Sequence, residues 1–132
     1  MQPYERLVAW QRCHQLLLAI FSATAKWPSS ERFGITAQLR RATLSAATNL
    51  VEGSAKHGRA EFRRFLDMSL GSLAEVGYLL RVARDLRILT PEEWSLLESS
   101  REDAARMVWL LYRSLGQRPE RRSTTSAGAR AP

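Results

Sequence analysis

Histidine, cysteine and carboxylate side chains are the residues of this chain that could do chemistry, and their spacing matches no familiar helical site. A di-metal site in a helical bundle needs Glu-x-x-His pairs, but Gln11 precedes His14 at that spacing and Ser54 precedes His57. Cys13 is adjacent to His14 in sequence, and neighbours on a helix diverge by about 100°, which argues against a thiolate dyad. There is also no glycine-rich phosphate loop and no nucleophile elbow. We therefore expect no enzymatic activity, no metal site and no cofactor.

A group of basic residues lies on the second predicted helix and around the loop that follows it. The candidates for contact with nucleic-acid phosphates are Arg40, Arg41, Lys56, Arg59, Arg63 and Arg64. If the second and third helices are antiparallel neighbours, the loop cations cluster at one end of the bundle, about two to three turns from Arg40 and Arg41. Such a strip binds phosphates without reading sequence. The alternative is intramolecular pairing, in which Arg41 reaches Glu75 and Glu61 neutralises the arginines that flank it.

The charge of the chain is positive and unevenly distributed. Lys and Arg number 20 against 13 Asp and Glu among 132 residues, a net charge of +7. Residues 1–64 carry +6, residues 65–115 carry −2 and residues 116–132 carry +3. A basic surface attracts polyanions, although the same charge can serve solubility alone. One cysteine and no apolar run near 20 residues predict a cytoplasmic protein without a disulfide and without membrane attachment.

Apolar residues recur at spacings of three and four, which predicts an all-α protein. The predicted helices span residues 4–25, 34–53, 59–87 and 90–115. The fourth has the clearest start, because Thr90 supplies an N-cap hydroxyl and Glu93 a capping box, and Gly53 is expected to cap the end of the second. Short connections favour an antiparallel up-down-up-down bundle formed by residues 1–116. Residues 117–132 contain no large apolar side chain and are predicted to be a disordered basic tail.

Helices one and three each carry a second apolar stripe beside the one assigned to the core. On helix one the core stripe is predicted to run from Leu7 through Trp10 and His14 to Phe21. The second stripes supply the candidates for self-association: Leu16, Ile20, Trp27, Met68, Gly71, Leu79, Val82 and Leu86. The alternative is that each of these helices lies at a corner of the bundle, where it touches two neighbours and needs a broad apolar stripe without a second copy of the chain. A mid-helix glycine costs about 1 kcal/mol relative to alanine, so Gly71 favours packing against another copy of the chain.

Four sequence blocks carry a resemblance to a known family. They are Gln38-Leu39-Arg40-Arg41-Ala42, Asn49-Leu50-Val51-Glu52-Gly53, Phe62-Arg63-Arg64-Phe65-Leu66 and Gly71-Ser72-Leu73-Ala74-Glu75. In the order and spacing of these blocks, residues 4–115 resemble bacterial four-helix-bundle proteins named after intervening sequences in large-subunit ribosomal RNA genes. More distant kin include the accessory protein of diversity-generating retroelements, which acts with a reverse transcriptase.

The resemblance implies a homopentameric ring of up-down bundles, with suspected nucleic-acid binding and no established enzymatic activity. The family's polar and glycine positions are matched by Gln38, Ser45, Asn49, Glu52, Gly53, Gly71, Ser72 and Glu75, besides Arg41. We assign them a structural role, because polar groups at helix interfaces must find partners and a satisfied network fixes helix register. Ala47 stands where the family usually has proline, so a kink in helix two should be weaker here.

The leading hypothesis is therefore a homo-oligomeric accessory factor that binds RNA or DNA through its basic surface. The alternative is a structural or protein-interaction module with an unidentified protein partner and no affinity for nucleic acid.

Overall fold

The computed structural model describes residues 1–32 and 34–116, and these residues contain four α-helices. The helices are α1 (Val8–Thr24), α2 (Ile35–Ser54), α3 (Arg59–Asp85) and α4 (Pro91–Gly116). Short 3-10 helices at Pro3–Arg6 and Ser29–Glu31 precede α1 and α2. The described ranges contain no strand, which confirms the all-α prediction. The predicted basic tail, residues 117–132, lies outside the described residues.

The helix ends follow from local signals. Thr90 Oγ1 accepts a hydrogen bond from the Glu93 backbone N–H at 3.1 Å, so the predicted N-cap of α4 is present. The same hydroxyl donates to Glu93 Oε1 at 3.0 Å. Gly58 has a φ of 94°, a left-handed conformation that glycine adopts at little cost, and α3 begins at the next residue. At its other end, α3 stops before Arg87, whose φ is 60°.

Each helix packs against two others. α1 contacts α2 and α4, and α3 contacts the same two helices. Late residues of α2 lie beside early residues of α3, since Gly53 lies against Phe65. Near the start of α2, Arg41 pairs with Glu75, which lies further along α3. The two helices therefore lie side by side from Arg41 to Gly53 of α2.

The contacts between α3 and α4 follow the same pattern, in which early residues of one helix lie beside late residues of the other. The Arg63 guanidinium lies 4.1 Å from the centroid of the Tyr112 ring, and that of Arg84 lies 4.4 Å from the Trp94 ring. Both are cation–π contacts in which an arginine of α3 covers an aromatic residue of α4. The early residues of α3 therefore lie beside the late residues of α4.

The core contains apolar side chains from all four helices. Those without exposed surface include Leu16, Ile20, Leu39, Leu50, Leu66, Leu73, Val76, Leu80 and Val108. Full burial of such a side chain contributes about 1.5–3 kcal/mol relative to exposure. The predicted core line of α3 is confirmed, because Leu66, Leu73 and Leu80 are all fully buried.

The orientation of α1 corrects the sequence prediction. Leu16 and Ile20 have no exposed surface, so the expectation that they contact another copy of the chain is wrong. Trp27, from the same stripe, is half-buried and packs against the core. Phe21, which was expected in the core, is 39% exposed. The two stripes are offset by one residue, and helical spacing alone cannot say which of them faces the other helices.

Aromatic residues of the outer stripe of α1 pack against one another at the edge of the bundle. Trp10 stacks on His14 with ring centroids 4.8 Å apart, and Tyr4 meets Trp10 edge-to-face at 4.9 Å. All three side chains are half-buried. Tyrosine, tryptophan and histidine suit such a position because each combines an apolar body with a polar atom.

Gly53 has a role different from the expected helix cap. α2 continues through it to Ser54, so the prediction of a C-cap is wrong. A Cβ atom at Gly53 would lie 2.9 Å from Phe65 Cβ and 3.0 Å from Phe62 Cδ1. Glycine is therefore required here because α3 approaches α2 too closely for any side chain.

We expect Gly53→Ala to lower the free energy of unfolding by about 1–3 kcal/mol, the usual cost of an overpacked contact. The clash outweighs the gain in helix propensity, which is about 1 kcal/mol. Urea unfolding followed by circular dichroism measures the change. Thr48→Ala, on the exposed face of the same helix, is the control and should change stability by less than about 0.5 kcal/mol. Equal stability of Gly53→Ala and the wild type would contradict the close approach.

Candidate nucleic-acid interface

Hydrogen-bonding side chains connect α2 and α3 along a line that we call the polar seam. The hydroxyls of Ser45 and Ser72 lie 3.0 Å apart. The Asn49 side-chain amide donates to the Ser45 carbonyl oxygen at 2.9 Å and to Ser45 Oγ at 3.2 Å. Ser69, which is fully buried, donates its hydroxyl to the Ala46 carbonyl oxygen at 2.8 Å. Because buried polar atoms are costly without partners, these bonds favour one alignment of the two helices.

Charged residues extend the polar seam towards the start of α2. Arg41 Nε donates to Gln38 Oε1 at 3.1 Å, and its terminal nitrogen pairs with Glu75 Oε2. The seam thus unites five of the polar residues matched by the resemblance, namely Gln38, Ser45, Asn49, Ser72 and Glu75, with Arg41. Glu52 is exposed and lies outside these contacts.

The two adjacent arginines of α2 face different helices. Arg40 turns towards α1, where its Nε donates to Thr24 Oγ1 at 2.8 Å and its guanidinium lies 4.7 Å from the centroid of the Phe21 ring. Arg41 turns towards α3 and pairs with Glu75. The structure therefore does not bring these two side chains into a strip with the cations of the following loop.

Arg63 and Arg64 also point in different directions. Arg63 covers Tyr112 of α4 and directs its Nε towards the Tyr112 carbonyl oxygen, 3.4 Å away. Arg64 remains exposed and pairs with Glu61 at 3.2 Å. The hydrogen bond to Arg64, aided by its charge, lowers the pKa of Glu61, and the same hydrogen bond raises the pKa of Arg64. Glu61 was expected to pair with the flanking Arg59 and Arg63, but its partner in the structure is Arg64.

The remaining cations surround the start of α3 and form what we call the loop cluster, Lys56, His57 and Arg59. All three side chains are exposed, and among the described residues Arg59 makes no hydrogen bond or ion pair. His57 and Arg59 line an open pocket of about 590 Å³ that also contacts Gly116 at the end of α4. No side chain caps α3, so the positive end of its helix dipole adds to the charge of the cluster.

An apolar strip lies on the outer side of α3, and we call it the α3 stripe: Met68, Gly71, Leu79, Val82 and Leu86. Met68 is 44% exposed and Leu86 is 60% exposed. Leu79 and Val82 are half-buried, and a Cβ atom at Gly71 would meet nothing within 4 Å. The glycine is therefore not required by packing within the protomer, in contrast to Gly53.

The described residues, 1–32 and 34–116, contain a buried cysteine and scattered acidic and histidine side chains. Burial raises the pKa of the Cys13 thiol to about 12, so the thiolate is rare at neutral pH. No three of the described His, Cys, Asp and Glu side chains form a group that could hold a metal ion. Within the same residues, every helix is too short or too polar to cross a membrane.

One ion pair within α4, packed against Gly77 of α3, was not expected from the sequence. Arg101 pairs with Glu98 on α4, and both side chains are largely buried. A Cβ atom at Gly77 of α3 would lie 2.7 Å from Arg101 Nε, so this glycine makes room for the guanidinium. The hydrogen bond to Glu98 raises the pKa of Arg101. The i, i+3 spacing of an acid and a base was the available signal, but many exposed pairs share it.

The four packed helices and the polar seam place the protein in the class of small four-helix proteins. Within this class, the chain belongs to the 23S rRNA-intervening sequence protein family, whose model matches residues 5–109. This confirms the resemblance seen in the sequence.

The structure is similar to that of a protein of unknown function from the S23 ribosomal protein family of Bacteroides thetaiotaomicron. The TM-score is 0.72 at 17% sequence identity, over 80% of this chain and 98% of that chain. At this identity the likeness shows a common fold alone. No curated protein matches the chain.

The polar seam leads to a prediction about Ser69. Ser69→Ala removes a buried hydrogen bond to α2 and should lower the free energy of unfolding by about 1 kcal/mol relative to Ser114→Ala. Ser114 is a suitable control because it is exposed and its hydroxyl donates to the Leu111 carbonyl oxygen of its own helix. Chemical denaturation of both variants measures the difference. Equal stabilities would mean that this bond of the seam contributes nothing.

Proposed function

We propose that this protein is a non-enzymatic, cytoplasmic subunit of a homopentameric ring and that the ring binds RNA or DNA as an accessory factor. In this proposal the protomer is an antiparallel up-down-up-down bundle. The loop cluster and other exposed cations hold the nucleic acid by its phosphates, and the α3 stripe joins neighbouring copies.

The loop cluster is the observation that carries the nucleic-acid part of the proposal. Lys56 and Arg59 lie on either side of Gly58 at the uncapped start of a 27-residue helix. The nearby carboxylate, Glu61, is already paired with Arg64. A phosphate at this position would meet two exposed cations and the positive end of the helix dipole, none of which distinguishes one base from another.

The other candidate cations contribute less to such a surface. Arg40 and Arg63 are half-buried and pack on aromatic rings, while Arg41 pairs with Glu75. Their charge is still felt at long range, but their side chains are engaged within the protomer. Lys56 also lies over a ring, with its Nζ 5.4 Å from the Phe65 centroid, but unlike Arg40 and Arg63 it is exposed. We therefore assign direct phosphate contact chiefly to Lys56 and Arg59, with Arg64 at the edge of the cluster.

Self-association is supported by the α3 stripe. Met68 and Leu86 of this stripe are exposed and Leu79 and Val82 are half-buried, while Gly71 provides a flat position at which a second backbone can approach. A closed ring would repeat the loop cluster once per protomer and so strengthen the field along one rim. The nucleic-acid affinity of the assembly would then exceed that of a single chain.

The alternative function is a structural or protein-interaction module. The observation that favours it is the pairing of candidate cations within the chain, namely Arg41 with Glu75 and Arg64 with Glu61. The α3 stripe would then bind an unidentified protein partner or only other copies of the chain. The two functions predict different results when nucleic acid is titrated into the protein at several salt concentrations.

Titration of labelled RNA and duplex DNA at several salt concentrations tests the binding. The double variant Lys56→Gln/Arg59→Gln should lower affinity and reduce the magnitude of the log–log salt slope by about 0.9 for each lost phosphate contact on duplex DNA. Lys26→Gln/Arg81→Gln removes the same charge away from the loop cluster and should change the slope far less. Absence of binding by the wild type at low salt would leave the structural alternative. Equal effects of both double variants would mean that only net charge matters.

Light scattering at micromolar concentration measures the mass of the particle and so tests the assembly. Gly71→Leu inserts a bulky side chain into the α3 stripe and should weaken association at least tenfold, a change of about 1.4 kcal/mol or more. Ala74→Leu, at an exposed position of α3 outside the stripe, should leave the mass unchanged. Far-UV circular dichroism should show equal helicity for both variants. A monomeric wild type would refute the ring.

A further inference from the structure

Trp109 is a large aromatic side chain that stays open to solvent, about two turns before α4 ends at Gly116. It is 49% exposed, and its ring stacks on that of Tyr112 with centroids 5.6 Å apart and planes inclined by 23°. Since Tyr112 covers only one face of the indole, the opposite face can receive another flat group. Full burial is the usual state of a tryptophan that serves the core, so this ring is available to a partner outside the protomer.

A series of contacts connects this indole to the loop cluster. The Arg63 guanidinium lies 4.1 Å from the centroid of the Tyr112 ring, and its Cζ lies 2.9 Å from the position of a Cβ on Gly116. Arg63 also lines the open pocket whose lining includes His57 and Arg59. The exposed tryptophan and the loop cluster therefore belong to the same end of the bundle.

Unpaired positive charge accompanies the ring on α4 itself. Arg113, one turn after Trp109, is exposed and makes no ion pair with the described residues. Arg106, one turn before Trp109, pairs with Asp103. The end of the bundle thus presents exposed cations on α4 and in the loop cluster, with an open aromatic ring on the same part of the surface.

An exposed aromatic ring beside unpaired cations is typical of proteins that bind single-stranded nucleic acid, where bases stack on rings and phosphates contact the cations. The bases of a duplex are already paired and stacked on one another, so they are not offered to a side chain in this way. We propose that this end of the protein binds single-stranded RNA or DNA, with Trp109 stacked on a base while the loop cluster contacts the phosphates. This inference rests on the proposed function and narrows it to single strands.

Tyr78 of α3 shows why the charges matter as well as the exposed ring. It is 67% exposed and lines an open pocket between α3 and α4. The arginines that line the same pocket are paired with carboxylates, namely Arg81 and Arg84 with Asp85, and Arg101 with Glu98. An aromatic ring among neutralised cations lacks the charge that attracts a polyanion, so Tyr78 is a matched control for Trp109.

Fluorescence anisotropy of labelled oligonucleotides of equal length tests the inference, with both RNA and DNA strands. The probes are a single strand, a duplex, and a single strand in which abasic sites keep the phosphates but lack the bases. The wild type should bind the single strand more tightly than the other two at equal salt concentration. Trp109→Leu should weaken binding of the single strand at least fivefold, which corresponds to the loss of one weakly stacked base, and should bind the abasic strand as the wild type does.

The dependence on salt separates stacking from charge. Trp109→Leu should keep the log–log salt slope of the wild type, because no phosphate contact is lost, whereas Lys56→Gln/Arg59→Gln should reduce it. Trp109→Phe keeps a ring and should recover part of the affinity. Tyr78→Leu should bind all three probes as the wild type does. Asp67→Asn, which removes an exposed carboxylate one turn after Arg63, should strengthen binding.

Equal affinity of the wild type for the single strand and the abasic strand would overturn the inference and leave the proposed function in place. This comparison needs no variant, so it decides the matter even if Trp109→Leu fails to fold. A folded Trp109→Leu protein with wild-type affinity for the single strand would overturn it as well. So would a lower mass of this variant in light scattering, since the ring would then contact another copy of the chain. Absence of binding to all three probes would refute nucleic-acid binding itself.

Discussion

The close approach of α2 and α3 is the contact on which the other features of this protein depend. Gly53 allows it, because Phe62 and Phe65 occupy the space where a side chain would be. The buried bond from Ser69 to α2 then favours one alignment of the helices. That alignment sets which residues of α3 face outward, and it leaves Met68 and Gly71 exposed while Leu73 and Leu80 are buried.

The same alignment separates cations that are close in sequence. Arg40 and Arg41 are adjacent, yet they reach opposite neighbours of α2, and Arg63 and Arg64 diverge in the same way. Arginine serves both purposes well, since its planar guanidinium stacks on rings and pairs with carboxylates. The cations that remain exposed at the end of α2 are those of the loop cluster.

Features that depend on neighbours in sequence were predicted well. The cap of α4 at Thr90 needs only a hydroxyl and a helix start, and the core line of α3 follows from one dominant apolar stripe. Features that depend on contacts with the other helices were predicted poorly. α1 has two stripes of similar strength, and its core is formed by the stripe with Leu16 and Ile20. Gly53 looked like a helix cap, although the side chains that require a glycine there lie more than one turn into the next helix.

Local patterns in the sequence were enough to predict four α-helices, the starts of α2, α3 and α4 to within one residue, and the family to which the chain belongs, because spacing, capping residues and short motifs are properties of local stretches. The start of α1 was predicted at residue 4 but lies at Val8, since residues Pro3–Arg6 form a separate 3-10 helix. The packing of the helices against one another set which face of α1 is buried and which arginines pair with carboxylates, and it brought Trp27 and Thr36 to one pocket. These outcomes depend on distances between segments far apart in sequence. Such distances result from the packing of four helices together, and no single helix contains the information that sets them.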